Sequence, residues 1–262
     1  MDAEIKELAL KITKSISRKV RALQSQNINL GRKIGIGADG TPTEYIDKIT
    51  EDIAIRYIKK SRIPINILSE EAGYLDMNGD YTFVLDPIDG TRNAIRGVPF
   101  YATSLAVGRD TLDSVEYGIV LNIPTGDIFI AEKNLGTYFN NRQVFAPDHP
   151  SSSILSSLDL GRNVDDLTLQ FVKKNKVRAL GAASLEMSMV AIGAIDFYMM
   201  GREYLRVTDI AASTLIVREA GGVVTNCNGE KINMPLNLDE RTSIIAACNE
   251  GLIKNILKSQ LI

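Results

Sequence analysis

Histidine is almost absent from this sequence: among 262 residues only His149 occurs. It stands in Pro147-Asp148-His149-Pro150, a loop-forming stretch rather than a pocket wall. Ser-His-Asp and Cys-His systems need a histidine held against the nucleophile, so neither is available. Cysteine is nearly as scarce. Cys227 and Cys248 lie far apart, without CxxC spacing or a histidine companion, which argues against zinc, iron-sulfur and disulfide frameworks. A reduced, cytoplasmic home is the expectation. No apolar run reaches membrane-spanning length, and Met1-Asp2-Ala3-Glu4-Ile5-Lys6-Glu7 lacks the layout of a signal peptide. Net charge is small as well: 30 basic against 32 acidic side chains leave −2, so no global field favours nucleic acid or an anionic membrane. Chemistry must rest on carboxylates, hydroxyls and metal ions, and any phosphate binding must be local.

What is present is ordinary globular material, 45% apolar and 24% charged, and long enough for two fused layers or domains. The run Tyr81-Thr82-Phe83-Val84-Leu85 reads as a buried strand, which Pro87 is expected to end at Asp86. Asp86-Pro87-Ile88-Asp89-Gly90-Thr91 then sets two carboxylates three positions apart in a turn with a glycine. Either they converge on a hard cation such as Mg²⁺, Mn²⁺ or Ca²⁺, or Asp86 closes the strand and Asp-Gly makes an ordinary turn.

Around this stretch the chain divides. Ile5, Leu8, Ala9, Ile12, Ile16, Val20 and Leu23 recur at steps of three and four, predicting a helix over residues 3–25. Gly35, Gly37 and Gly40 spell G-x-G-x-x-G, yet a helix precedes and Thr41-Pro42-Thr43 follows, so a dinucleotide fingerprint is rejected. A basic flap over a ligand and a plain flexible loop remain. Thr43 is the expected N-cap of a second helix that buries Ile46, Ile49, Ile53 and Tyr57. Asp47 and Glu51, one turn apart beside that face, read alone as a solvated stripe. A strand over residues 63–68 ends at Glu70-Glu71, either a surface pair or part of a metal site, and a hairpin through residues 76–80 should bring the next strand back.

Strands over residues 102–107, 115–122, 127–131 and 137–140 suggest an antiparallel region. The linker at residues 146–153 marks the boundary between an α+β part, 1–146, and an α/β part, 147–262. In the second part strands are expected at 154–158, 176–180, 194–199 and 243–248. Helices are expected at 165–175, 181–192, 210–220 and 250–260. Thr208-Asp209 opens the apolar helix that Gly221-Gly222 stops, with Asp209 either cap or ligand.

Taken in order, the glycine-rich segment, Glu70-Glu71, D-P-I-D-G-T, and Asp209 before Glu219-Ala220-Gly221-Gly222 resemble the inositol monophosphatase and fructose-1,6-bisphosphatase superfamily of Mg²⁺-dependent, lithium-sensitive phosphatases. The similarity spans nearly the whole chain. It implies an α/β fold, the layered α/β/α/β/α sandwich of sugar phosphatases. It further implies that Glu70, Asp86 and the carbonyl of Ile88 hold one Mg²⁺, and that Asp86, Asp89 and Asp209 hold a second. Two to three ions per site are expected, Mn²⁺ being an alternative, with Glu70 and Glu71 near a weaker third whose region Lys33 and Asp39 of the flap complete on closure. By the same resemblance Gly90 and Thr91 offer backbone N–H groups to phosphate, and Thr91 with Asp47 activates the attacking water near Glu70.

Asp39-Gly40-Thr41-Pro42-Thr43, Ile46-Asp47, Arg92-Asn93 and Leu205-Arg206-Val207-Thr208-Asp209 are similar to the archaeal branch, active on both fructose 1,6-bisphosphate and inositol 1-phosphate. Thr208 stands where many inositol monophosphatases carry Trp. Arg178, Ala183 and Arg202 match expected substrate contacts, two arginines suiting a second phosphate. Partners would be a small sugar or inositol phosphate and a second copy in a homodimer, with no nucleic acid and no membrane. The rival readings are a phosphatase of 3′-phosphoadenosine 5′-phosphate or NADP in the same superfamily, and a non-catalytic regulator built on the fold.

Overall fold

A computed structural model describes residues 1–26, 28–38, 40, 42–148, 154–161, 164 and 166–258. His149 and the rest of the linker from 149 to 153 lie outside the described residues, as do Asp39, Thr41, Asp165 and residues 259–260. Helix α1 (Ala3–Gln24) starts where the Asp2 carboxylate accepts the Glu4 N–H at 2.9 Å, and its apolar stripe is buried. The glycine-rich segment forms an antiparallel hairpin of β1 (Lys33–Ile36) and β2 (Pro42–Glu44). Pairing with β1 keeps Thr43 extended, so α2 (Tyr45–Ser61) takes Glu44 rather than Thr43 at its N-cap.

The first sheet contains β3 (Ile65–Ser69), β4 (Gly73–Leu75), β5 (Tyr81–Asp89) and, after the short α3 (Thr91–Arg96), β6 (Ala102–Gly108). It continues with β7 (Tyr117–Asn122), β8 (Ile128–Glu132), β9 (Gly136–Phe139) and β10 (Arg142–Val144), in the order 10-9-8-7-6-5-3-4. Two local expectations are corrected here. The hairpin is β3–β4, turning at Glu70-Glu71-Ala72, while β5 lies parallel to β3 on its other side. The side chain of Asn66 in β3 explains the crossover. It accepts the N–H groups of Met77 at 2.9 Å and Gly79 at 3.1 Å and donates to the Gly79 carbonyl at 2.7 Å, pinning residues 77–79. Nor does Pro87 end β5. The register with β6 shifts between Asp86 and Asp89, and this irregularity accommodates the proline without breaking the ladder.

After residue 153 come β11 (Leu155–Leu158), α4 (Asp166–Lys174), β12 (Lys176–Arg178), α5 (Ala183–Val190) and β13 (Phe197–Leu205). They are followed by α6 (Val207–Glu219), β14 (Val223–Thr225), β15 (Thr242–Ala247) and α7 (Glu250–Lys258). The second sheet runs 12-11-13-15-14. Strand β13 extends past the expected end at 199 because it pairs with β15 as far as Leu205, which places Arg202 in a strand.

One core packs Ile12, Ile16, Ile46 and Ile58 of α1 and α2 against Phe83 and Leu85 of the first sheet. The other packs Leu185 and Ile210 of α5 and α6 between Val84 and Phe129 on one side and Tyr198 and Ile245 on the other. With α4 and α7 against the second sheet, this is a layered α/β/α/β/α sandwich. The seat of α6 is close: a Cβ at Gly118 of β7 would lie 2.9 Å from the Ala212 carbonyl oxygen, so only glycine fits. Among the described residues no helix is long and apolar enough to cross a membrane.

Candidate active site

Because β3 and β5 run parallel with Ser69 opposite Leu85, Glu70 and Asp86 follow side by side at the point where β3 ends and β5 continues. Asp209 reaches the same point from the first turn of α6. One carboxylate oxygen from each of Glu70, Asp86 and Asp209 lies within 4.8 Å of the other two. Burial, reinforced by Asp86 and Asp209, pushes the pKa of Glu70 well above the carboxylate range. Burial, reinforced by Asp89 and Asp209, does the same to Asp86. Three converging oxygen donors with no nitrogen or sulfur suit a hard divalent cation, so the residues present fit Mg²⁺.

Asp89 serves a different contact. Its carboxylate accepts the N–H groups of Ala183 at 3.1 Å and Ser184 at 2.7 Å and the Ser184 hydroxyl at 2.6 Å, capping α5. Burial pushes its pKa up to about 7, with Ser184 pulling the other way. The backbone N–H of Ala183 is therefore spent on Asp89. The Ile88 carbonyl accepts the Thr91 hydroxyl at 2.9 Å, while the Ile88 N–H donates to Asp86 Oδ1 at 3.0 Å.

Thr91 Oγ also lies 3.2 Å from Asp47 Oδ1 in the first turn of α2. Neither Asp47 nor Glu51 belongs to a solvated stripe. Burial first, then Glu44 and Glu71, pushes Asp47 up to about 8. Glu51 is fully buried, accepting the Ser69 hydroxyl and, at 2.8 Å, the Ala72 N–H, so it shapes the turn that presents Glu70. Glu71 accepts the Thr43 hydroxyl.

A cavity of about 440 Å³ brings Asp47, Glu70, Asp86 and Thr91 together with the cations Lys33, Arg92 and Arg206. Gly90 lines it at φ +84°, where a Cβ would come within 3.0 Å of the Gly181 carbonyl oxygen. Arg178 and Arg202 do not line it. Arg178 is exposed at the end of β12, and Arg202 pairs with Asp159 at 3.0 Å and lies over the Tyr204 ring at 5.5 Å.

Three functional positions escaped the sequence reading. Arg206, read only as part of a motif, places Nη2 at 2.5 Å from Glu70 Oε1 and 3.4 Å from Asp209 Oδ1. Its spacing of three before Asp209 at a helix start was the available signal. Ser184 helps hold Asp89, as above. Glu186 accepts the N–H groups of Leu180, Gly181 and Ala182, each at 3.1 Å, together with the Ser157 hydroxyl, and so fixes the turn ahead of α5.

The profile of the inositol monophosphatase family matches residues 2–261. The fructose-1,6-bisphosphatase/inositol-1-monophosphatase of Methanothermobacter thermautotrophicus is 40% identical, over 97% of this chain and 95% of that protein. The bifunctional NADP phosphatase/NAD kinase of Methanococcus maripaludis is 37% identical over 96% of this chain, which spans 48% of that protein. A crystal structure of an inositol monophosphatase-fructose 1,6-bisphosphatase gives a TM-score of 0.85 at 33% identity, covering 98% of this chain and 99% of that one. A fold and an acidic cluster of this kind, matched by a family profile along nearly the whole sequence, place the chain in the inositol monophosphatase family.

Proposed function

We propose that this protein is a Mg²⁺-dependent phosphomonoesterase that hydrolyses fructose 1,6-bisphosphate and inositol 1-phosphate. The observation that carries the reading is the convergence of Glu70, Asp86 and Asp209, the first two of which line one cavity with the Asp47–Thr91 pair. When bound, Mg²⁺ supplies positive charge that polarises the phosphoryl group and makes water a better nucleophile at neutral pH. Glu70, Asp86 and the Ile88 carbonyl would hold one ion, and Asp86, Asp209 and Asp89 through Oδ1 a second. Asp89 uses three of its roughly four acceptor sites on α5, and Oδ1 carries only one of those three bonds.

Thr91 orients the attacking water. Its hydroxyl takes a proton from that water while passing its own to Asp47 Oδ1, 3.2 Å away. Asp47, pushed up to about 8, accepts this proton only in its ionised form, a minority at neutral pH without metal, and nearby Mg²⁺ would favour that form. Lys33 and Arg92, lining the same cavity, neutralise substrate phosphate oxygens. We assign Arg178 and Arg202, expected from the sequence at the distal end of the substrate, at most an outer role, since neither lines the cavity. We further propose a cytoplasmic homodimer, which light scattering on the purified protein would test.

Steady-state turnover on fructose 1,6-bisphosphate, inositol 1-phosphate, NADP and 3′-phosphoadenosine 5′-phosphate at fixed Mg²⁺ tests the assignment. Hydrolysis of neither the bisphosphate nor the inositol ester would overturn it. The second reading, an NADP phosphatase, is favoured by the 37% identity to the Methanococcus maripaludis enzyme. Turnover confined to NADP would select it.

A further inference from the structure

The acidic cluster comes with a cation supplied by the chain itself. Arg206 occupies the N-cap position of α6, and its backbone N–H donates to Asp209 Oδ2 at 2.8 Å. Its side chain folds back over the same turn. Nη2 lies 2.5 Å from Glu70 Oε1 and 3.4 Å from Asp209 Oδ1, and Nε lies 3.5 Å from Asp209 Oδ2. Two of the three converging carboxylates are thus engaged by one guanidinium, and Asp86 adds its attraction. The group is largely enclosed, with 17% of the side chain exposed.

A hard divalent ion needs those carboxylate oxygens at about 2.0–2.1 Å in a near-octahedral shell. At that distance it draws on the same lone pairs of Glu70 and Asp209 that the guanidinium uses, and it repels the guanidinium through a poorly screened interior. Ion and arginine therefore oppose each other at these oxygens. Arg206 is held in place by its own helix cap, so it stays beside the cluster whether or not it keeps the contact with Glu70.

Resting on the metal-dependent reading above, we infer that Arg206 is a built-in counter-cation of the Glu70–Asp86–Asp209 cluster, which a divalent ion must displace from Glu70. This one side chain sets how tightly the site takes metal. It also steadies three carboxylates that would otherwise repel one another at close range. The protein gives up metal affinity in return for a cluster that stays folded when metal is scarce.

Calorimetric titration of the full chain with Mn²⁺ and with Mg²⁺ alone, without substrate, tests this. Arg206→Gln should lower Kd by roughly tenfold to a hundredfold, within the usual range of coupling between linked sites. It should also lower the melting temperature in chelator more than in saturating Mg²⁺, so that the stabilisation brought by metal grows. Arg206→Lys, which keeps a cation, should leave Kd within a few-fold of wild type. On the wild-type protein, the Nε–H resonance of Arg206, assigned by its loss in Arg206→Lys, should shift as Mg²⁺ is added. A folded Arg206→Gln that binds metal no more tightly than wild type, or a wild-type resonance unmoved at saturation, overturns the inference. If wild type and Arg206→Gln both bind no divalent ion, the metal-dependent reading itself fails. If wild type binds with the affinity of Asp86→Asn but Arg206→Gln binds tightly, displacement is supported in its strongest form.

Discussion

Taking the metal-free protein from pH 5 to pH 7 should lower its stability, and Asp47 should account for a measurable share. Its carboxyl is pushed up to about 8 by burial, then by Glu44 and Glu71, against about 3.9 in an unfolded chain. Between those values the folded protein holds a proton that the unfolded chain has released, so rising pH favours unfolding. The stabilising contribution is fully present below about pH 4 and is lost as the pH passes about 8. Each pH unit inside this window removes about 1.4 kcal/mol for a full proton difference, or about 2.7 kcal/mol from pH 5 to 7. At about 2.1 cal/mol/K per residue, 262 residues convert that loss to a fall of about 5 °C in Tm.

Asp47→Asn keeps the shape but cannot ionise, so it should flatten the decline by about that much. Asp89, pushed up to about 7, acts in the same sense and leaves a residual slope. Differential scanning calorimetry in chelator at pH 5, 6 and 7 reads both proteins. Equal slopes in wild type and variant, or a wild-type Tm that rises across this range, would refute the reasoning. Added Mg²⁺ should shrink the slope, because metal binds the deprotonated carboxylates and stabilises the folded state.

Asp86→Asn should lower turnover by at least about 100-fold and abolish the rise in Tm caused by Mg²⁺. Removing a buried, repelled carboxylate should meanwhile raise the Tm measured in chelator, and thermal scans with and without metal separate the two effects. Thr91→Ala should reduce kcat by about 10²- to 10⁴-fold with little change in metal affinity, which steady-state kinetics and calorimetry check together. Glu186→Ala leaves the Leu180, Gly181 and Ala182 N–H groups without their acceptor. A loss of about 3 kcal/mol by denaturant titration, with a raised KM because Gly181 lines the cavity, is the expected result.

The fold was legible wherever one face of an element is buried. The period of α1, the succession of strands and turns along β6 to β9 and the glycine stop after α6 could all be read from the residues themselves. Pairing was less legible, because it depends on distant partners. Nothing local to residues 76–80 announces that Asn66 will tie them into a crossover, so a hairpin looked natural there. Pro87 looked like a terminus because the register shift that accommodates it belongs to β5 and β6 jointly.

Among the candidate site residues, Glu70, Asp86 and Asp209 each read alone also as a surface acid, a turn residue or a helix cap, and became a set only through resemblance to the family; the structure brings them together. The commitment of Asp89 to α5 and the approach of Arg206 to Glu70 depend on side-chain directions across the junction between the two sheets. A one-dimensional pattern carries no record of such directions. The two arginines proposed for the substrate carried a charge signal without a placement signal: neither lines the cavity, though Arg202 lies over the ring of Tyr204, which does.

The contact between Gly118 and Ala212 works as a depth gauge for the enzyme. Main chain resting on main chain leaves no side chain that could compress or rotate, so the height at which α6 rides over the first sheet is fixed. Asp209 sits one helical turn from that stop, and a single methyl group added at Gly118 would lift it away from its two companions.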